Sequence, residues 1–260
     1  MVEGITEWLP VSSTGHMLLL DRFMPLEVSE SFYRVFEVLI QLGAVLAVVV
    51  RYKDILSPIG KSDEDRRSVF RLWLITLWGV FPSAAIGFFF DDTIEKLFYT
   101  PTVVALMLVI YGVAFIVAET VMKKRASAVT ELTQVTPKRA LSIGLFQVLA
   151  LIPGTSRSGA TILGAYLCGA SRPLAAEFSF LLAIPTMLGA GLLRTVKFFF
   201  EGNRLSVNEV MLLAIGTLTA YAVSRVTVGF LTDFVRKHGF YAFGIYRIIF
   251  GGVLLLYFLR

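Results

Sequence analysis

The sequence predicts an all-α polytopic membrane protein, with about six transmembrane helices plus two re-entrant helix–loop–helix hairpins in an inverted repeat. Three observations carry this. First, 56% of the 260 residues are hydrophobic, 17% are charged, and mean hydropathy is +0.75. A soluble domain carries roughly a quarter charged residues, and 22 Phe exceed what one soluble core of this size hides. Second, six apolar runs approach the 20 or so residues that a helix needs to span a bilayer. Third, two shorter apolar runs are interrupted by Pro, Gly and hydroxyl residues. Together these exclude a soluble enzyme, a nucleic-acid-binding domain and a disordered chain.

The first interrupted run covers residues 1–22, with Trp8, Leu9 and Pro10 at its break and apolar residues resuming at Met17. Bare backbone at membrane depth is tolerated only inside protein or along a wet cavity, so it reads as a re-entrant hairpin. Glu3 and Glu7 interrupt the opening residues, and no cleavable signal peptide is expected. Three spans follow at 36–50, 72–90 and 102–121, which closes the first repeat at 1–121. Residues 122–139 are a linker. The second hairpin occupies 140–170 with its break at Pro153 and Gly154, its second helix resuming near Ala160. Spans at 174–196, 210–231 and 240–259 complete a second repeat at 140–260. PVSSTGH from Pro10 and PGTSRSG from Pro153 show weak self-similarity between the halves.

Counting Lys and Arg orients the chain. Residues 51–71 hold Arg51, Lys53, Lys61, Arg66, Arg67 and Arg71, and residues 122–139 hold Lys123, Lys124, Arg125, Lys138 and Arg139. Between them, 91–100 hold Asp91, Asp92 and Glu95 against Lys96. The basic loops, and with them Arg236 and Lys237, are therefore expected in the cytoplasm and the acidic loop outside. On this count the net charge of +5 is topological, with some attraction to anionic lipid. Cys168 is the single cysteine, which leaves no disulfide framework or Cys-based metal site.

Ionisable groups at membrane depth are costly and usually functional, and here they gather in the hairpins. Glu3 and Glu7 are spaced i,i+4, which puts both carboxylates on one helix face. Such a pair repels unless a proton or cation lies between them, and oxygen donors that retain water suit Mg²⁺ or Ca²⁺. The alternative is a pair of interfacial glutamates facing water. His16 follows Ser12, Ser13 and Thr14 closely, and its unperturbed pKa near 6.5 suits proton transfer. Ser13 and His16 share a helix face at i,i+3, so Ser13 is the expected nucleophile and His16 its base, or the acid for the leaving group; His16 itself and a metal-bound water remain open as attacking groups.

Pro153 to Thr161 reads as an anion cradle. Gly154 and Gly159 permit close backbone approach, the restarting helix offers its N-terminal N–H groups, and Arg157 brings a planar fork for phosphate oxygens. The hydroxyls of Thr155, Ser156, Ser158 and Thr161 add donors. The competing reading is a polar helix break with Arg157 snorkelling to water. Glu37, Gln41 and Glu177 are secondary candidates for the same cavity or for pairs with arginines. Glu119, Arg225 and His238 read as residues near span ends or in a charged loop.

VEGITEWLPVSSTGH from Val2, FEVLIQLGAVLAVV from Phe36, PGTSRSGAT from Pro153 and EFSFLLAIP from Glu177 resemble the undecaprenyl pyrophosphate phosphatases of the bacitracin-resistance type. The resemblance runs through nearly the whole chain in segment order. It implies hydrolysis of a long-chain polyprenyl diphosphate to the monophosphate and inorganic phosphate in the bacterial plasma membrane, which recycles the carrier for peptidoglycan and other envelope polymers. The implied active site faces the extracytoplasmic side. Carried over by position, Glu3 and Glu7 match the acidic motif, and Ser12, Ser13, Thr14 and His16 its Ser-Thr-Gly-His part; Ser156, Arg157, Ser158 and Thr161 match the second motif. Members of the family usually start further ahead of the acidic motif, so Glu3 is expected to be held less firmly than Glu7. The expected partners are the lipid substrate and membrane lipids without nucleic acid, with a homodimer open. Three other functions compete: a lipid-phosphate or small-solute transporter on the same anion site, an acid-phosphatase-like lipid phosphatase and an intramembrane serine protease using Ser156 or Ser158. The last two lack a suitably placed second histidine, since only His238 follows Arg157.

Overall fold

The structure, a computed structural model, describes residues 1–123 and 125–258, with Asp91 in its backbone only. The charge of Lys124, the side chain of Asp91 and the span end at Leu259 lie outside the described residues. Eleven α-helices follow one another among those residues: α1 Val2–Thr6, α2 Ser13–Phe23, α3 Glu30–Arg51, α4 Lys53–Leu56, α5 Asp63–Phe98, α6 Pro101–Met122, α7 Pro137–Val148, α8 Arg157–Leu167, α9 Arg172–Phe200, α10 Val207–His238 and α11 Tyr241–Phe258. Six of them, α3, α5, α6, α9, α10 and α11, are long and apolar enough to cross a membrane, which is the number expected.

The helices overrun the apolar runs because caps, not hydropathy, set their ends. Ser62 accepts from Asp65 N ahead of α5, and Asp63, Glu64 and Asp65 fill the first turn, where negative charge complements the helix dipole. A capping box of Ser206 and Glu209 starts α10, which continues through the basic turn Arg236–Lys237–His238. As a result α5 has 36 residues and α10 has 32. The second hairpin also begins earlier than its apolar run, at Pro137 behind the Thr136 cap. Its helix restarts at Arg157, ahead of Ala160, because Ser156 accepts from Gly159 N.

Helix α6 packs on α11, and α3 lies against both α9 and α10. Of the shorter helices, α1 packs on α10 and α2 on α6, while α7 packs on α5 and the largely buried α8 on both α9 and α6. A Cβ on Gly112 would meet Gly244 O at 2.8 Å, so α6 and α11 approach as closely as backbones allow. The core around the hairpins is aromatic, with Trp8, Phe115, Phe178, Phe180 and Phe240 buried. Phe88, Phe89, Leu192, Phe200, Ile215 and Leu218 point outward, as lipid-facing residues do.

Charge sorts to the two ends of the bundle. At one end Arg71 donates to Thr133 O and Val135 O, which joins the two basic loops. At the other, the acidic end of α5 meets three cations: Glu95 pairs with Arg34 and Arg194, and Asp92 with Lys197.

Candidate active site

Each hairpin turns on a serine held in the left-handed region: Ser12 at φ 71° and Ser156 at φ 72°. That conformation is strained for a residue with a Cβ, and the same local device sustains it twice. Each serine caps the helix it precedes, accepting from the glycine three residues on, Gly15 N at 3.4 Å and Gly159 N at 3.1 Å. The loops of residues 7–12 and 152–156 thus end in the same geometry.

Packing brings these loops together. Arg157 Nη2 donates to Glu7 Oε1 at 2.9 Å, and Nη1 donates to Ser179 O on α9 at 2.9 Å. The side chains of this pair are only 11% and 7% exposed. The guanidinium also lies over the Trp8 ring, 5.5 Å from its centroid. Ser13 Oγ donates to Glu7 Oε2 at 2.9 Å, so one carboxylate holds the hydroxyl with one oxygen and the arginine with the other. Ser158 Oγ donates to Leu9 O, a second tie between the loops.

His16 lies on the far side of this arrangement. Its Nδ1 donates to Ser12 O at 2.7 Å; a carbonyl only accepts, so the proton is on Nδ1. In the neutral ring Nε2 accepts from the Tyr246 hydroxyl at 2.6 Å, and the ring stacks on Phe250. Ser13 is therefore hydrogen-bonded to Glu7 and not to the histidine that its spacing suggests. Thr14 lines a cleft together with Ser13 and Glu3, whereas Thr161 turns to α9, where its hydroxyl meets Ser179 Oγ at 2.6 Å. The space beside Gly154, at φ 89°, is filled by the Val104 backbone, and a Cβ on Gly159 would come within 3.2 Å of Arg247 Nη1. Gly154 is required by packing against protein backbone, and Gly159 sits in a tight contact with side chains.

The cleft holds about 480 Å³. Glu3, Ser13, Thr14 and Pro153 form its inner wall, Glu37 and Gln41 its side, and Glu30, Arg34, Glu95 and Arg194 its far end; Glu177 is not part of this wall. Glu3 is buried in α1 with Oε1 unpartnered. Among the described residues, the buried side-chain polar atoms without a partner include Trp8 Nε1, Thr155 Oγ1 and Arg157 Nε, all around the two loops. Orphaned polar atoms concentrated at one place mark a site that a polar ligand completes.

One central residue escapes a search for polar clusters. Arg247 on α11 is fully buried. Its Nη1 donates to Pro10 O of the first loop at 3.1 Å, and Nη2 to Gly154 O and Thr155 O of the second at 2.9 Å each. Nε reaches Leu108 O on α6, and the guanidinium lies over Tyr111. It is a clamp made of one cation and main-chain carbonyls. Its signal in the sequence is a lone basic residue inside the apolar run 240–259.

Comparison with known proteins places the chain in a family. The chain is 48% identical to the undecaprenyl-diphosphatase of Enterococcus faecalis over 261 residues, covering 100% of this chain and 95% of that one. It is 49% identical to the undecaprenyl-diphosphatase of Acetivibrio thermocellus, again over 100% and 95% of the two chains. The corresponding protein of Streptococcus pyogenes is 46% identical over 99% of this chain and 93% of its own. Residues 1–253 match the profile of the family described as Bacitracin resistance protein BacA, and the chain belongs to that family.

Proposed function

We propose that this protein is an undecaprenyl-diphosphatase of the bacterial plasma membrane, releasing inorganic phosphate from undecaprenyl diphosphate and returning the monophosphate carrier. The observation that carries this is the Ser13–Glu7–Arg157 chain of contacts at the edge of a cleft, inside a bundle whose six spans give a lipid tail access. A serine needs an adjacent base to attack at neutral pH, and Glu7 is 2.9 Å from the Ser13 hydroxyl. In this scheme Ser13 Oγ attacks the terminal phosphorus as Glu7 takes its proton. The Ser13–phosphorus bond forms, the bridging P–O bond breaks, and undecaprenyl phosphate leaves. Water then cleaves the phosphoserine to inorganic phosphate. Arg157 and the helix start at Ser156 and Ser158 hold phosphate oxygens, with Ser12, Thr14, Gly154, Thr155, Gly159 and Thr161 shaping the two loops around them. His16 fixes the first turn of α2 through Ser12 O, and with Nε2 accepting from the Tyr246 hydroxyl the neutral ring has no proton to give the leaving group.

A divalent cation, Mg²⁺ or Ca²⁺, belongs to this reading. Glu3, whose buried Oε1 lacks a partner, and Glu7 are the donors that would hold it. Among the described residues no three Asp, Glu, His or Cys side chains gather as a metal site. A hard cation can be bound through one or two carboxylates, with phosphate oxygens and water completing its shell. When bound, it would neutralise charge developing on the phosphate oxygens.

Two re-entrant hairpins in an inverted repeat, 1–121 against 140–260 with 122–139 as linker, complete the proposal. It is supported by the matched Ser12 and Ser156 caps and by the parallel pairings of α1 with α10 and α7 with α5. An opening on the extracytoplasmic side is supported by the cleft's far end, which is built from the acidic end of α5. The test is phosphate release from farnesyl and undecaprenyl diphosphate by the detergent-purified chain, with and without chelator. Tight binding of either lipid with no phosphate released would favour a carrier.

A further inference from the structure

The far end of the cleft carries a second charged arrangement, which the chemistry at Ser13 does not use. Glu95 on α5 places Oε1 2.6 Å from Arg34 Nη1 of α3 and Oε2 3.0 Å from Arg194 Nη2 of α9. Each guanidinium takes one oxygen of the same carboxylate. Arg34 also holds Glu30 at 2.7 Å, and Lys197, one turn beyond Arg194, holds Asp92 at 2.7 Å. Arg34, Arg194 and Glu30 line two cavities at once. The inner one is the 480 Å³ cleft reaching Glu3 and Ser13; the outer one, of about 260 Å³, adds Lys197 and Glu201. The Glu95 clamp therefore stands where the two cavities adjoin.

An anion moving between these cavities meets opposing fields. The inner cleft is lined by Glu3, Glu30, Glu37 and Glu95 against two arginines, while in the outer cavity Arg34, Arg194 and Lys197 outnumber Glu30 and Glu201. Two guanidiniums that grip separate oxygens of one carboxylate present the spacing that two phosphate oxygens need. The clamp is also accessible: the side chains of Arg34, Glu95 and Arg194 are 49%, 24% and 23% exposed. Both guanidiniums line both cavities, so an incoming dianion reaches them from the same space as the Glu95 carboxylate and can exchange with it.

We propose that Arg34 and Arg194 form an outer phosphate station in which Glu95 is a displaceable internal occupant. The station takes phosphate oxygens, whether of the free ion leaving the cleft or of a lipid headgroup entering it, and it rests on the phosphatase reading above. Glu95 returns to the arginines when the anion departs, so the passage between the cavities is never left as an uncompensated positive site.

The test uses the full chain purified in detergent, with inorganic phosphate and farnesyl monophosphate as separate probes, followed by isothermal titration calorimetry. Glu95→Gln keeps the shape and removes the competing charge, so the apparent Kd for at least one probe should fall about tenfold, the size of one charge-assisted contact. Tightening for inorganic phosphate alone identifies the leaving ion; tightening for farnesyl monophosphate identifies the headgroup. Adding Arg34→Gln and Arg194→Gln to Glu95→Gln should abolish the gain. As a check on a milder variant, Arg34→Gln alone, at a half-exposed position, should weaken binding several-fold. Unchanged affinity in Glu95→Gln, or a gain that survives loss of both arginines, overturns the station. Phosphate release from farnesyl diphosphate is measured on the same samples: turnover with unchanged binding removes the station alone, and binding without turnover removes the phosphatase reading alone.

Discussion

Glu7 and Arg157, 150 residues apart in the chain, meet as a buried ion pair at 2.9 Å. Neither hairpin can form it alone, so the pair exists only when both loops are in place. A buried pair of this kind is not in itself a source of stability, because desolvation offsets much of the attraction. Its value lies in fixing the guanidinium and the carboxylate relative to Ser13.

Arg157→Lys should reduce phosphate release by about 10²–10³, although the charge is retained. The ammonium is a point donor and cannot reach Glu7 and Ser179 O in the two directions that Nη2 and Nη1 do while also meeting phosphate. The measurement is kcat on farnesyl diphosphate with a folded variant. Near-parental turnover would reduce Arg157 to a structural tie between the two loops.

Glu7→Gln should eliminate turnover and also leave Arg157 buried without its counter-charge, at about 3–5 kcal/mol of stability. Glu3→Gln separates the two effects, since it leaves the Glu7–Arg157 ion pair in place. It should leave thermal stability near parental while raising the Mg²⁺ concentration needed for half-maximal rate. Full activity in excess EDTA would remove the cation from the scheme.

Ser13→Ala should lose activity by several orders of magnitude while still binding substrate. His16→Ala should lose less. Tyr246→Phe removes one hydrogen bond to the same ring, worth about 0.5–1.5 kcal/mol, and should reproduce part of the His16→Ala effect. Substantial turnover in Ser13→Ala together with a dead His16→Ala would make histidine, or a water it activates, the attacking group.

Arg247→Lys tests the clamp between the loops. A lysine cannot reach Pro10 O, Gly154 O and Leu108 O together, so buried carbonyls on both loops lose their donor. Each such loss costs about 1–3 kcal/mol. The expected result is a lower unfolding temperature and faster proteolysis at the two loops, along with reduced turnover. A parental Tm would show that other contacts suffice to hold them.

The amino-acid pattern alone determined that the chain is helical and membrane-embedded, that it has six spans, and that it breaks near Pro10 and Pro153. Apolar run length and the Pro-Gly interruptions are local properties, and solvation and backbone hydrogen bonding act on them directly. The Ser-Ser-Thr-Gly-His and Gly-Thr-Ser-Arg-Ser segments were legible as polar groups at membrane depth for the same reason. Helix ends were not, because single caps such as Ser62, Ser156 and Ser206 override hydropathy. Tertiary structure alone decided that Ser13 bonds to Glu7 and that His16 turns to Tyr246. Helical spacing says which residues share a face but not which neighbour that face meets. It also decided the part played by Arg247, a lone cation that looks like any membrane arginine until two distant loops bring their carbonyls to it. Contacts between residues 92 to 237 positions apart depend on how helices pack, and packing is fixed by the fit of whole surfaces.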